Sequence, residues 1–285
     1  MDNSETQITP TIAPDRTPPT TPPHTKNSLI KWGLILLVLV LVIVAFIAAL
    51  AYQSRTSTPG TSLYSYRVNL WEPALGWTKL SANARADYDL SLMSARLDEL
   101  KVLANDTASS STSTLMQIAN NSVMRAAATV SVASSQSPED RINTQSKLVT
   151  IMQAEDTLAA TTHEFTAIVK QLQEARRTTA TTLTSAVQTY ASSTPADVSS
   201  AFLATHVQVV SQGLKTVAFG SSAQQQAIVR ISYMQDALRL GNVAEAILSI
   251  LKAEQSLAID GMIYGGEHGD GSEKFDSNAE IPLGS

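Results

Sequence analysis

The chain contains no cysteine. That excludes disulfides, thiolate nucleophiles and cysteine-ligated zinc. Aromatic residues make up 5% and charged residues 16%, and Ser and Thr supply the missing polarity. No basic patch for a phosphate backbone is visible along the sequence, so nucleic acid is not an expected partner. Proline is scarce after residue 58, with Pro59, Pro73, Pro138, Pro195 and Pro282 only. Period-2 alternation bounded by turn signals is missing as well. The one short exception is Tyr66 to Leu70.

Signs of catalysis are equally few. The histidines are His24, His163, His206 and His268, each without a metal-like neighbour three or four residues on. A metal site would need His163 and His206 to meet between helices; the simpler reading is two ordinary helix residues. Ser and Thr are too abundant for one to stand out as a nucleophile, and G-x-S-x-G does not occur. The run GGEHGDGSEKFD, 265–276, lacks the ligand spacing and closing Glu of a calcium loop. Residues 239–255 are similar to one half of a tetratricopeptide repeat, but no second copy follows at a spacing of about 34 residues. The sequence therefore predicts no enzyme, with no catalytic, cofactor-binding or metal-binding residue and no cofactor.

What is present begins with a greasy run, Trp32 to Tyr52, without a charge. At about 1.5 Å per residue it reaches roughly 31 Å, the hydrocarbon thickness of a bilayer. Trp32 and Tyr52 stand at its ends, where amphipathic rings favour the headgroup level. A cleaved signal peptide would have a shorter apolar core nearer the N-terminus. Residues 29–53 are thus expected to form a transmembrane helix, with the lipid bilayer as a partner. Lys26 and Lys31 lie closer to the span than Arg55 and Arg67. The positive-inside rule then puts the N-terminus in the cytoplasm and the larger C-terminal part outside.

Six of the eleven prolines fall within residues 1–25. Residues 1–28 therefore read as a disordered, Pro/Thr-rich cytoplasmic tail. Net charge is −5, and residues 261–285 carry Glu267, Asp270, Glu273, Asp276 and Glu280 against Lys274 alone. They read as a disordered acidic tail. Between them come a linker, 54–61, and a helical domain, 62–260.

Within that domain the apolar spacing is 3 or 4 nearly throughout, the helix period. Pro138 and Pro195 bracket an unbroken segment. It holds Ile142, Val149, Met152, Leu158, Thr162, Phe165, Val169, Leu172, Thr179, Leu183, Val187 and Tyr190. Glu139 and Asp140 suit its N-terminus. The expectation is one long spine helix of about 80 Å, or two helices with a break. The Thr-rich patch 176–184 is the expected bend, because β-branched residues lower helix propensity. Other helices are expected after Ser81, near 114–135, after Pro195 with Asp197 as N-cap, over 222–240, and from Val243 to Asp260. Gly241 is expected as a C-cap. The fold class is all-α, a single N-terminal transmembrane helix followed by an extracytoplasmic helical bundle.

PGTSLYSYRVNLWE, 59–72, is harder to place. Its apolar surface sits just outside the span. Leu63, Tyr64, Leu70 and Trp71 are expected to fold back onto the bundle as a clasp, with Pro73 in the first turn of the next helix. With SANARADYDLSLMSARLDEL it resembles the start of the bacterial "domain of unknown function 5667" family. The residues that carry the resemblance are Pro59, Gly60, Leu63, Tyr64, Arg67, Asn69, Glu72, Ala84, Ala95, Arg96, Leu97 and Glu99. Arg67 stands where the family has Lys, and Ala95 where it has a second Arg. The resemblance covers about 45 residues. It implies a membrane-anchored helical domain and no particular activity.

Two functional classes follow. The first is a non-catalytic interaction or structural module on the outer face of the cytoplasmic membrane. It would bind a protein, a cell-wall partner or its own copies through a helical surface. The second is a transmembrane signalling or anti-sigma-like regulator.

Overall fold

The computed structural model describes residues 26–54, 57–105, 112–160 and 166–264. The two expected disordered tails fall almost wholly outside these residues, as do His24, His163 and His268. Two compact units divide the chain, residues 1–52 and 53–285. The first contains most of α1, Lys26–Ser54. Trp32–Ser54 is long and apolar enough to span a membrane. From Trp32 to Ile47 its large apolar side chains are all exposed, Trp32 by 69%.

The second unit is helical, with no strand among the described residues. α2 (Ser62–Tyr66) runs through a π-helical turn, Arg67–Trp71, into α3 (Glu72–Trp77). Then follow α4 (Ala82–Asn105), α5 (Thr112–Ala133), α6 (Pro138–Ala160), α7 (Thr166–Ser193), α8 (Ala196–Thr216), α9 (Ser222–Arg239) and α10 (Val243–Tyr264).

The segment between Pro138 and Pro195 is not a single spine. α6 and α7 pack antiparallel against one another. Tyr190 Oη donates to Glu139 Oε1 at 2.8 Å across 51 residues of sequence, which a straight helix could not allow. Gln173 and Arg176 both reach Asp156, at 3.2 and 3.3 Å. The physical reason is burial. A single helix would need partners along its whole apolar stripe, whereas a hairpin lets its two halves cover each other. Leu172 accordingly shares a core with Ala159, and Thr179 lies 3.9 Å from the Met152 sulfur.

Nor does the Thr-rich patch break the helix. Thr178, Thr179, Thr181, Thr182 and Thr184 each donate a hydroxyl to the carbonyl four residues back, at 2.9 to 3.1 Å. The hydroxyls are satisfied inside α7, so β-branching costs propensity without ending the helix.

The hairpin is the shared wall of the domain. Near Ala159 and Leu172 it packs with α2, α4 and α5 around Tyr64, Val68, Leu100 and Ile118. Near Ile142 and Tyr190 it packs with α8, α9 and α10 around Phe202, Ala227, Ile247 and Ile250. α5 approaches closely because its buried seam is small. Ala119, Ser122, Ala126, Thr129 and Ala133 recur at 3 and 4 and all are buried.

Local signals set most boundaries. Ser137 caps α6, its Oγ accepting from Asp140 N at 3.2 Å, and Pro138 occupies the first turn, where its missing N–H does no harm. Gly241 has φ +73° between α9 and α10, a conformation that favours glycine. Asn242 Oδ1 then accepts from Glu245 N at 3.1 Å. Asp197 is not the N-cap of α8. Pro195 holds that position and Asp197 lies in the first turn. Leu80 precedes α4 and is 93% exposed.

A fragment beginning at Gln53 should therefore be soluble and strongly helical by circular dichroism, because its cores are complete without α1. A coil-dominated spectrum or aggregation would contradict this.

Candidate functional site

The strand exception, Tyr66 to Leu70, is helical, and its geometry has a local cause. Pro73 has no N–H to give the carbonyl of Asn69, and in an α-helix its ring would strike that carbonyl. The turn before it opens instead. Glu72 N–H bonds the carbonyl of Arg67, a five-residue span. In an α-helix, residues five apart are turned by roughly 140° from each other; with five-residue bonding they stack. The turn thus places Arg67 and Glu72 on one face, where Nε and Oε1 meet at 3.1 Å.

That face enters a buried ionic network. Arg96 of α4 is 1% exposed. One of its guanidinium nitrogens contacts both oxygens of Glu99 at 2.7 Å, and the other contacts both oxygens of Glu72. Arg67 reaches Glu99 Oε1 at 3.0 Å and the Ser57 carbonyl at 3.1 Å. Tyr64 Oη donates to Glu99 Oε2 at 2.6 Å. The Tyr64 ring lies near two guanidiniums, 5.9 Å from Arg67 and 5.5 Å from Arg96, within cation–π range. Arg125 of α5 completes the set, 3.2 Å from Asp89 and 3.7 Å from Glu72.

Three guanidiniums, Arg67, Arg96 and Arg125, therefore face three carboxylates, Glu72, Glu99 and Asp89. Burial alone would lower the affinity of Arg96 for its proton, but Glu99 and Glu72 reverse that, and the guanidinium is held charged more firmly than usual. Burial pushes the Tyr64 phenol far up. Asp89 is raised by burial, against the pull of Arg125. The network fastens α2, the π-helical turn and α3 to α4 and α5.

Glu155 of α6 lies behind it, fully buried. Its Oε1 accepts from Ser122 Oγ at 2.9 Å, while Oε2 has no hydrogen-bond partner among the described residues. Burial pushes its carboxyl up to about 8, against smaller pulls from Ser122 and Arg96. It is held neutral in the low-dielectric interior.

The clasp takes a different form from the one expected. Tyr64 and Val68, four residues apart, are the buried pair, at 1% and 4% exposure. Leu70 is 49% exposed, and Trp71 is only half-buried. The π-helical turn adds one residue per turn and rotates Leu70 outward.

On the other side of the hairpin, a half-open groove of about 670 Å³ runs between α7 and α9, over α6 and α10. Lys170, Arg176 and Arg177 of α7, Arg230 of α9 and Lys252 of α10 line it, with Glu174 as the one lining carboxylate among the described residues. Arg176 is paired with Asp156. The other four cations make no ion pair among the described residues. No cluster of three metal-ligating side chains occurs among the described residues either. His206 pairs with Glu254, Nδ1 to Oε1 at 2.7 Å, and its ring lies 4.3 Å from that of Phe202.

Comparison with family models, curated proteins and solved structures gives no match.

The residues on which the family resemblance rests include Tyr64, Arg67, Glu72, Arg96 and Glu99, five members of the network. Sequence reading did not connect them as partners, because 24 and 32 residues separate the key pairs. The groove was missed for a similar reason. Its cations come from three helices and form no run.

Proposed function

We propose that the chain is a non-catalytic interaction module, anchored by α1 and carrying its helical domain on the outer face of the cytoplasmic membrane. The observation that carries this reading is α1 itself. Its apolar side chains are uncovered by protein, and lipid is the medium that matches a helix of this length and composition. Lys26 and Lys31 on its N-terminal flank support the orientation. The resemblance to the "domain of unknown function 5667" family supports the same arrangement. The domain offers partners, whether protein, cell-wall polymer or a second copy, a helical surface fastened at its start by the ionic network.

A reporter active only outside the cytoplasm, fused after Ser285, is expected to be active. Activity confined to a cytoplasm-dependent reporter at that position would reverse the orientation. Release of the protein from membranes by high-pH carbonate would remove the anchor.

A further inference from the structure

We infer that the groove between α7 and α9 binds a multivalent phosphate-bearing anion. This goes beyond the proposed topology and does not depend on it. Five of the twenty Lys and Arg residues of an acidic chain converge on one groove. Asp156 answers Arg176, and Glu174 is the sole lining carboxylate among the described residues. Lys170, Arg177, Arg230 and Lys252 line the groove with no ion pair among the described residues, a concentration of positive charge that favours an anion.

The donors also fit the chemistry. Arg177 and Arg230 present planar forks suited to oxyanions, and Lys170 and Lys252 present mobile point charges. They come from three helices, α7, α9 and α10. A planar carboxylate is filled by one fork, whereas a tetrahedral phosphate has oxygens for several. Gln226 and Ser256 line the groove as well, the Ser256 hydroxyl donating to Gln226 Oε1 at 3.5 Å. Among the described residues that line the groove none is aromatic. Its volume suits a ligand of small-molecule size or a short stretch of polymer.

The test is calorimetry on the full chain in neutral detergent, at physiological salt. The probes are inorganic tripolyphosphate, a short-chain phosphatidylglycerol and citrate. Tripolyphosphate is expected to bind with an affinity that falls as salt rises. Arg177→Gln with Arg230→Gln should weaken it at least about tenfold, with the helical spectrum unchanged. The control is Lys215→Gln with Arg239→Gln, a pair outside the groove, which should leave binding unchanged. Binding of phosphatidylglycerol alone, lost in the groove variant, would assign the phosphate to a lipid headgroup. Citrate binding as tight as tripolyphosphate would overturn the phosphate assignment. No binding of either phosphate probe, or equal loss in the control variant, would overturn the site. Since binding is read in detergent, its outcome is separate from that of the topology reporter.

Discussion

Arg96→Met is expected to destabilise the helical domain by about 3–5 kcal/mol, the usual cost of removing one partner from a buried ionic group. Methionine fills much of the space, so the loss is mainly electrostatic. Glu72 and Glu99 would keep Arg67 at 3.1 and 3.0 Å, but both would lose their contacts to the most buried cation. The measurement is urea unfolding of residues 53–285, followed by circular dichroism. Adding Glu99→Gln to Arg96→Met should recover part of the loss, because the second carboxylate no longer needs a cation. A change below about 0.5 kcal/mol, the level of an ordinary surface substitution, would show that the network contributes nothing.

Glu155→Gln is expected to do the opposite, and only at higher pH. Unfolded, Glu155 loses its proton near the ordinary carboxylate value; folded, it keeps the proton up to about 8. Between those values the folded protein binds the extra proton, so its stability declines as pH rises from the ordinary value through about 8. Glutamine keeps an acceptor for Ser122 and has no proton to lose. The two proteins should be nearly equal near pH 4. At pH 8 the glutamine variant should be more stable by roughly 2–5 kcal/mol. Asp89, also raised by burial, adds to the same trend in both proteins and cancels from the comparison. Parallel stability–pH curves would refute the neutral, buried assignment.

The helices were legible because their apolar spacing repeats at 3 and 4, and because Ser137-Pro138 and Gly241 punctuate them. The hairpin was less so. Between Ala160 and Thr166 the sequence has neither Gly nor Pro, while the Thr patch beyond it has the lower propensity. Propensity marked the wrong place because hydroxyl-to-carbonyl bonds inside α7 are invisible to a residue scale. The π-helical turn defeats a 3.6-residue template for a related reason. Pro73 announced an irregularity, but not that Arg67 would stack on Glu72 and Leu70 would swing out. Buried pairing across 24 or 32 residues leaves no periodic trace. Convergence of cations from α7, α9 and α10 leaves none either. The candidate site is therefore a product of tertiary folding, and the sequence held only its parts.

The contact between Arg67 and the Ser57 carbonyl has a mechanical consequence. Ser57 follows α1 and stands ten residues before Arg67 in sequence. The backbone there is tied, through one guanidinium, to Glu72 and Glu99, and through them to α4. A pull on the chain at Ser57 thus loads charge-assisted bonds. The opening helices are expected to share such a load with α4 through this ionic fastening.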